Sequence, residues 1–228
     1  MSGDVKSAEG PRVLLWMLEA TPDLDEEWNE WYSTEHVAAL MHVPGFRIGV
    51  RYRIEEEYTR DDPPVYLAFY DLDGAEVLRS ESYRTNRASL GEGQRPAWTR
   101  RMMAAVTKAR GGVYVPTVQG EFAPGAASPE SLLAIGTESA SNAWVDDVLV
   151  QSMRGAAGLT TLRDLTIERI SPSAANMRER DEPPRRFLLF GFETDEQAKA
   201  AWTSVSQSIA HVSLAARYSR ILTATPAG

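Results

Sequence analysis

A chain that repeats its own pattern in order must build two copies of one unit, and this sequence carries such a pattern. Asp61-Asp62-Pro63-Pro64 runs into Val65-Tyr66-Leu67-Ala68-Phe69-Tyr70, and Asp181-Glu182-Pro183-Pro184 runs into Arg185-Arg186-Phe187-Leu188-Leu189-Phe190. The motifs stand 120 residues apart, about half of the 228-residue chain. An apolar opening strand recurs as well, residues 14–20 beside 132–138, offset by 118.

Each half reads strand, helix, strand, strand, helix, strand. In the first half, 13–20 is a strand, and Thr21-Pro22-Asp23 caps a helix over about 25–41, since proline and acidic residues suit a first turn. Val43-Pro44-Gly45-Phe46 ends that helix. Residues 47–54 then alternate, with Ile48, Val50, Tyr52 and Ile54 on one face and Arg47, Arg51 and Arg53 on the other, a half-exposed strand. Residues 65–70 are continuously apolar; a helix follows from about 75, and 113–118 closes the unit. The second half runs 132–138, a helix near 143–153, a break at Gly155 and Gly158, then 162–170, 187–192, a helix over 195–209, and 215–223. Pro124-Gly125-Ala126-Ala127-Ser128-Pro129 has linker composition. The expected organisation is a first repeat over 1–123, a linker over 124–130 and a degenerate second repeat over 131–228. The first half holds more chain between its last helix and last strand, including Gly91-Glu92-Gly93 and Pro96-Ala97-Trp98, which suggests a second, bent helix there.

In both halves the first and third strands are solidly apolar and the second alternates. A βαββαβ unit with sheet order 4-1-3-2 puts strands 1 and 3 at the centre, where solid apolar runs belong. Helices cover one face of such a sheet, and a second sheet can cover the other. The expected fold is therefore α+β, with two tandem ferredoxin-like repeats whose antiparallel sheets pack into an α+β barrel.

Composition narrows the chemistry. There is no cysteine, which removes disulfides, thiolate zinc sites, iron–sulfur clusters and a cysteine nucleophile. The net charge is −8, and that argues against nucleic-acid binding. No apolar run approaches the roughly 20 residues of a membrane span, and the polar start of the chain has no signal-like core; the expected location is the cytoplasm. Glu55-Glu56-Glu57 with Asp61-Asp62 reads as a solvated hairpin rather than a metal site. Neither a phosphate-binding glycine loop nor a Gly-x-Ser-x-Gly elbow is present. No metal and no cofactor are expected.

The most informative segment is Trp28-Asn29-Glu30-Trp31-Tyr32-Ser33-Thr34-Glu35-His36-Val37. At 3.6 residues per turn, Trp28, Trp31, Tyr32, Glu35 and His36 share a broad helix face, and Tyr32 meets His36 at i,i+4. An imidazole titrating near ~6.5 can act as acid or base without unusual tuning. The same aromatic spacing also describes an ordinary helix core. His42 and His211 read as structural or solvated groups. Arg51 is solvated if its strand face is the outside of the fold; if that face meets the helices, its planar fork suits a substrate carboxylate or enolate.

Trp31-Tyr32-x-Thr34-Glu35-His36-Val37, followed by Val43-Pro44-Gly45-Phe46, Arg51-Tyr52-Arg53, Tyr66-Leu67-Ala68-Phe69-Tyr70, Ser82-Tyr83-Arg84 and Pro96-Ala97-Trp98-Thr99-Arg100-Arg101-Met102, resembles the EthD-type branch of the dimeric α+β barrel superfamily. The resemblance covers about residues 13–122. With Gly158 placed on Gly45, Leu149 falls where His36 stands, and Trp144 is the only aromatic left on that helix. The resemblance implies a small cofactor-free enzyme or accessory protein acting on aromatic, lactone or polyketide-like compounds, with the histidine as acid/base group. Related barrels include cofactor-independent monooxygenases and haem-degrading enzymes, and tandem forms occur in dye-decolorising peroxidases, whose Gly-x-x-Asp-Gly haem motif is absent here.

The expected function is that of a cofactor-independent lyase, dehydratase or isomerase. His36 moves the proton, Tyr32 and Glu35 orient it, and Trp28, Trp31, Phe69, Arg51 and Trp98 line the substrate pocket. The partner is a small apolar or aromatic ligand, and a homodimer is compatible with the sequence. The alternatives are a non-catalytic ligand-binding or assembly protein and a cofactor-free monooxygenase.

Overall fold

The computed structural model describes residues 10–59, 62–89, 96–121, 128–139, 145, 149–170, 182–206 and 212–226. The strands are β1 (Arg12–Ala20), β2 (Phe46–Glu57), β3 (Tyr66–Leu72), β4 (Val106–Glu121), β5 (Ser131–Thr137), β6 (Leu159–Ile170), β7 (Arg186–Phe192) and β8 (Leu214–Ala224). The helices are α1 (Asp25–Trp31), α2 (Val37–Met41), α3 (Glu81–Ser89), α4 (Ala97–Ala104), α5 (Val150–Arg154) and α6 (Asp195–Val205). A π-helical turn, Tyr32–His36, joins α1 to α2, and a 3₁₀ turn, Ala75–Arg79, precedes α3. The helix expected over 25–41 is therefore continuous but widened in its middle. Most of the linker, Gly91-Glu92-Gly93, Ala143, Trp144 and His211 lie outside the described residues.

The eight strands form a closed barrel in the order β1-β3-β2-β8-β5-β7-β6-β4, every pairing antiparallel. Each half keeps the expected internal order: β4-β1-β3-β2 in one and β8-β5-β7-β6 in the other. The edge strands meet crosswise, β2 with β8 and β4 with β6.

The pleat sorts side chains into three cores. Val13, Leu15, Met17, Val50, Tyr52, Leu67 and Phe69 turn into the barrel and meet Leu132, Ala134, Phe187, Leu189 and Tyr218 from the other half. Leu14, Leu18, Ala68, Tyr70 and Leu72 turn outward to pack under the helices of the first half with Trp28, Trp31 and Met102. Leu133, Ile135, Leu188 and Phe190 do the same beneath α5 and α6.

The strand registers fix the internal equivalences. β3 maps on β7 with the 120-residue offset of the Pro-Pro motifs, and β2 on β6 with the 113-residue offset of Gly45 and Gly158. Both of these glycines turn the chain with positive φ, +95° and +74°, where a side chain is strained. β1 and β5 require a correction: register against β3 and β7 matches Val13 to Leu132, an offset of 119 rather than 118. A one-residue slip exchanges the faces of a strand, and in an evenly apolar strand the sequence does not mark which face is which.

The repeated Pro-Pro motif has a structural role. Tyr114 on β4 donates its hydroxyl to the carbonyl of Pro184 at 2.9 Å, and its counterpart Tyr218 on β8 donates to Pro64 at 3.5 Å. Each half's last strand thus ties down the other half's loop across the barrel. Both phenols are fully buried, and burial pushes their pKa values well above the usual tyrosine value. Tyr114→Phe leaves the Pro184 carbonyl unpaired and is expected to cost about 1–2 kcal/mol in urea unfolding. Tyr218→Phe, whose bond is longer, is expected to cost less; the reverse order would contradict this account.

Candidate functional site

The site expected from the sequence lies on the outer face of β2 and β3, under α1 and the π turn. Trp28, Trp31 and Tyr32 are almost fully buried, at 1%, 1% and 3% exposure, and belong to the core between helices and sheet. Trp28 packs on Tyr32 with ring centres 4.9 Å apart and on Tyr66 at 5.1 Å. His36 is half-buried at the end of the π turn, its ring 5.2 Å from Trp31 and 4.7 Å from Tyr32. A π turn inserts extra backbone into the helical ladder and re-aims the side chains it carries, a feature frequent at functional sites. Trp31 is held by a hydrogen bond from Nε1 to Thr99 on α4, 3.2 Å long, and half-buried Trp98 packs beside it against the same core.

Arg51 resolves the choice left open by the alternating strand. Its face meets the helices, and the side chain is 1% exposed. The guanidinium lies over the Tyr32 ring at 4.2 Å, with Tyr66 at 5.4 Å and Trp28 at 5.6 Å. Its Nη1 donates to the main-chain carbonyl of Asn29 at 3.1 Å and to the Ser33 hydroxyl. Burial lowers its pKa, opposed first by Tyr32 and then by Tyr70, Tyr66 and Asp25; a guanidinium stays charged regardless. Arg53, on the same face but farther along, is exposed and pairs with Asp25 at 3.6 Å. Arg47 is exposed and pairs with Asp73.

Two expected members stand apart. Phe69 turns into the barrel, where Arg163 lies 4.7 Å over its ring; it occupies the opposite face of β3 from Tyr66, Ala68 and Tyr70. The correction follows from strand alternation, because a strand buried on both faces gives no sequence sign of which residues look which way. Glu35 is exposed and makes no hydrogen bond or ion pair to a described residue, so it does not orient the imidazole. Ser33 is engaged by Arg51. His42 is exposed, its Nδ1 2.7 Å from the Ala38 carbonyl, in keeping with a structural role.

Tyr70 was missed as a site residue. It lies on β3 and donates its hydroxyl to that of Tyr32 at 3.3 Å. Its even spacing from Tyr66 along β3 was the available signal. Burial raises the pKa of both phenols; for Tyr32 the Tyr70 hydrogen bond and Arg51 act in the other direction. Tyr66, also buried, is pushed up to about 12 by burial and by its hydrogen bond to Asp25. The cluster is thus a cation surrounded by neutral phenols, with an imidazole at its margin. Two grooves lined by described residues, of about 400 and 490 Å³, lie elsewhere: one runs along residues 41–47 with Asp73 and Pro226, the other along 220–223 with Ser128 and Glu130. Among the described residues no group of three metal-ligating side chains comes together, and no helix is long and apolar enough to cross a membrane.

No family model matches the sequence, and no curated protein does. Solved structures do match. An anthrone oxidase-like protein is similar at 11% identity, with 97% of this chain and 95% of that chain covered and a TM-score of 0.60. The chain has the dimeric α+β barrel fold. Two candidate monooxygenases share this barrel. The one from Lactobacillus acidophilus NCFM has 10% identity, 96% and 97% coverage and a TM-score of 0.52. The one from Fusobacterium nucleatum has 8% identity, 96% coverage of both chains and a TM-score of 0.53. In this barrel all eight strands come from one chain.

The buried phenols give the site a pH signature. Tyr32 and Tyr70 hold their protons more tightly folded than at the unfolded value of 10.0. Their contribution to stability is complete below that pH and is lost as pH rises through the folded-state values. Urea midpoints should therefore fall above pH 10.0, and Tyr70→Phe should flatten the fall. An unchanged slope in Tyr70→Phe would remove the hydroxyl pair from the account.

Proposed function

We propose that the protein is an EthD-like, cofactor-independent enzyme that moves a proton on a small aromatic or polyketide-like compound, in a lyase, dehydratase or isomerase reaction. One observation carries this reading: His36 is the imidazole placed at the margin of an aromatic cluster, on a π turn, with its ring against Trp31 and Tyr32. A flat ligand stacked at that margin presents a C–H or O–H to the imidazole, which takes the proton and returns it to a neighbouring carbon or leaving oxygen. Tyr32, neutral at physiological pH and hydrogen-bonded to Tyr70, packs beneath the imidazole and positions it. No other imidazole joins the cluster among the described residues, and Leu149 takes the place of His36 in the second half, where it is fully buried. The reaction is therefore assigned to the first half alone.

A second reading has its own support. Trp28, Trp31 and Tyr32 are as fully buried as any core residue, which suits a ligand-binding or assembly protein in which the cluster is chiefly structural. The likeness to an anthrone oxidase-like protein extends the test to oxygen-dependent turnover. The experiment is a screen of anthrones and related polyketide phenols, with product formation followed with and without oxygen. His36→Gln should lower kcat at least about 100-fold while leaving the melting temperature near that of the parent. Turnover retained in His36→Gln would sink the role of the imidazole, and turnover that requires oxygen would move the reaction to the monooxygenase class.

A further inference from the structure

Burying a cation is costly unless it is paired and its donors are satisfied. The second half shows how this fold meets that requirement. The position equivalent to Arg51 is Asp164, and the position equivalent to Tyr66 is Arg186. These two form a buried, two-pronged ion pair, Nε to Oδ1 at 2.8 Å and Nη2 to Oδ2 at 2.5 Å. In the first half the same place holds a cation alone. No described carboxylate lies within ion-pair distance of the Arg51 guanidinium, and its Nη2 is buried with no hydrogen-bond partner. Two further orphaned polar atoms sit on the adjoining turn of α1, Trp28 Nε1 and Asn29 Oδ1. The Trp28 ring lies 5.6 Å from the guanidinium, and the Asn29 main chain is bonded to it.

We infer that Arg51 is an oxyanion subsite that takes the ionised oxygen of a phenol or enol. This rests on the proton-transfer reading of His36 and specifies its substrate as an acidic phenol or enol. Nη1 is already committed to Asn29 and Ser33. Nη2 and the Trp28 indole N–H are buried donors without a partner, which suits an anionic oxygen. Asn29 Oδ1 accepts from a neighbouring ligand hydroxyl, as in a compound carrying two adjacent oxygens. The aromatic walls hold the cation when the ligand is absent. On binding, the phenol proton passes to solvent, and a charge pair of the kind that Asp164 and Arg186 make forms in the first half.

The test uses the full chain with 4-nitrophenol and its methyl ether, 4-nitroanisole, as probes, read by quenching of tryptophan fluorescence and by visible absorbance. The wild type should bind 4-nitrophenolate about tenfold or more tighter than the ether. It should also lower the pKa of the bound phenol by about one unit or more, because a nearby cation favours the anion. The absorbance measurement needs no variant and stands even if Arg51 variants fail to fold. Arg51→Met should bring the two probes to equal affinity, whereas Arg53→Met, on the same strand but exposed, should keep the discrimination. Equal binding of both probes by the wild type, an unshifted bound phenol, or the same loss in Arg53→Met would overturn the subsite. The proton-transfer reading fails separately: if His36→Gln keeps turnover while discrimination persists, Arg51 still binds oxyanions but His36 is not the base.

Discussion

A four-stranded sheet with the order 4-1-3-2 has two exposed edges and one apolar face without cover, and each half of this chain supplies what the other lacks. The outer strands β2 and β4 pair with β8 and β6, so no edge is left open. The inner faces share one core inside the barrel, to which both halves contribute aromatic and aliphatic side chains. The hydroxyls of Tyr114 and Tyr218 then reach the Pro-Pro loops of the opposite halves. The ion pair between Arg163 on β6 and Asp71 on β3 adds a further tie across the halves, with Arg163 stacked on Phe69. Neither sheet can bury its inner face alone. The second repeat supplies that cover within the chain.

Closure also leaves the outer faces free to differ. The helices over each sheet make separate cores that do not contribute to the barrel interior. A substitution under α1 can change the chemistry there without disturbing the pairing of β2 with β8. The outer face of the second half holds an apolar core and ion-paired arginines, Arg186 with Asp164 and Arg217 with Asp195. The first half instead places an arginine, three phenols, two indoles and an imidazole under one short helical stretch. A π turn lies within that stretch, and Val145 and Leu149, the second-half counterparts of Tyr32 and His36, have the same helical form.

Much of this was legible in the sequence because it rests on periodicity. The sheet order followed from where solid apolar runs and the alternating run fell, and the aromatic cluster from helical spacing. What periodicity cannot carry was lost. A strand buried on both faces looks the same from either side, so Phe69 was assigned to the wrong face and β1 was matched to β5 one residue out of register. Adjacent helical residues diverge by about 100°, and Glu35 accordingly reaches solvent while His36 stays against the rings. The π turn had no sequence sign at all. Arg51 was visible as one of three alternating arginines, but only the tertiary fold separates the buried one from Arg47 and Arg53 at the exposed ends of the same face.

The contrast between the halves argues that the first was not simply left unfinished. An arginine facing a helix can be paired with a carboxylate one strand away, and the second half does this with Asp164 and Arg186. In the first half the residue one strand away is Tyr66, a neutral phenol whose hydroxyl donates to Asp25. Asp25 in turn pairs with Arg53 rather than Arg51. Asn29 and Ser33 satisfy Nη1, but no carboxylate among the described residues pairs with the guanidinium. The uncompensated charge persists because the aromatic faces of Trp28, Tyr32 and Tyr66 tolerate it. The second half pairs its buried arginine with a carboxylate at the equivalent position and the first half does not, and that contrast is the basis for proposing an oxyanion at Arg51.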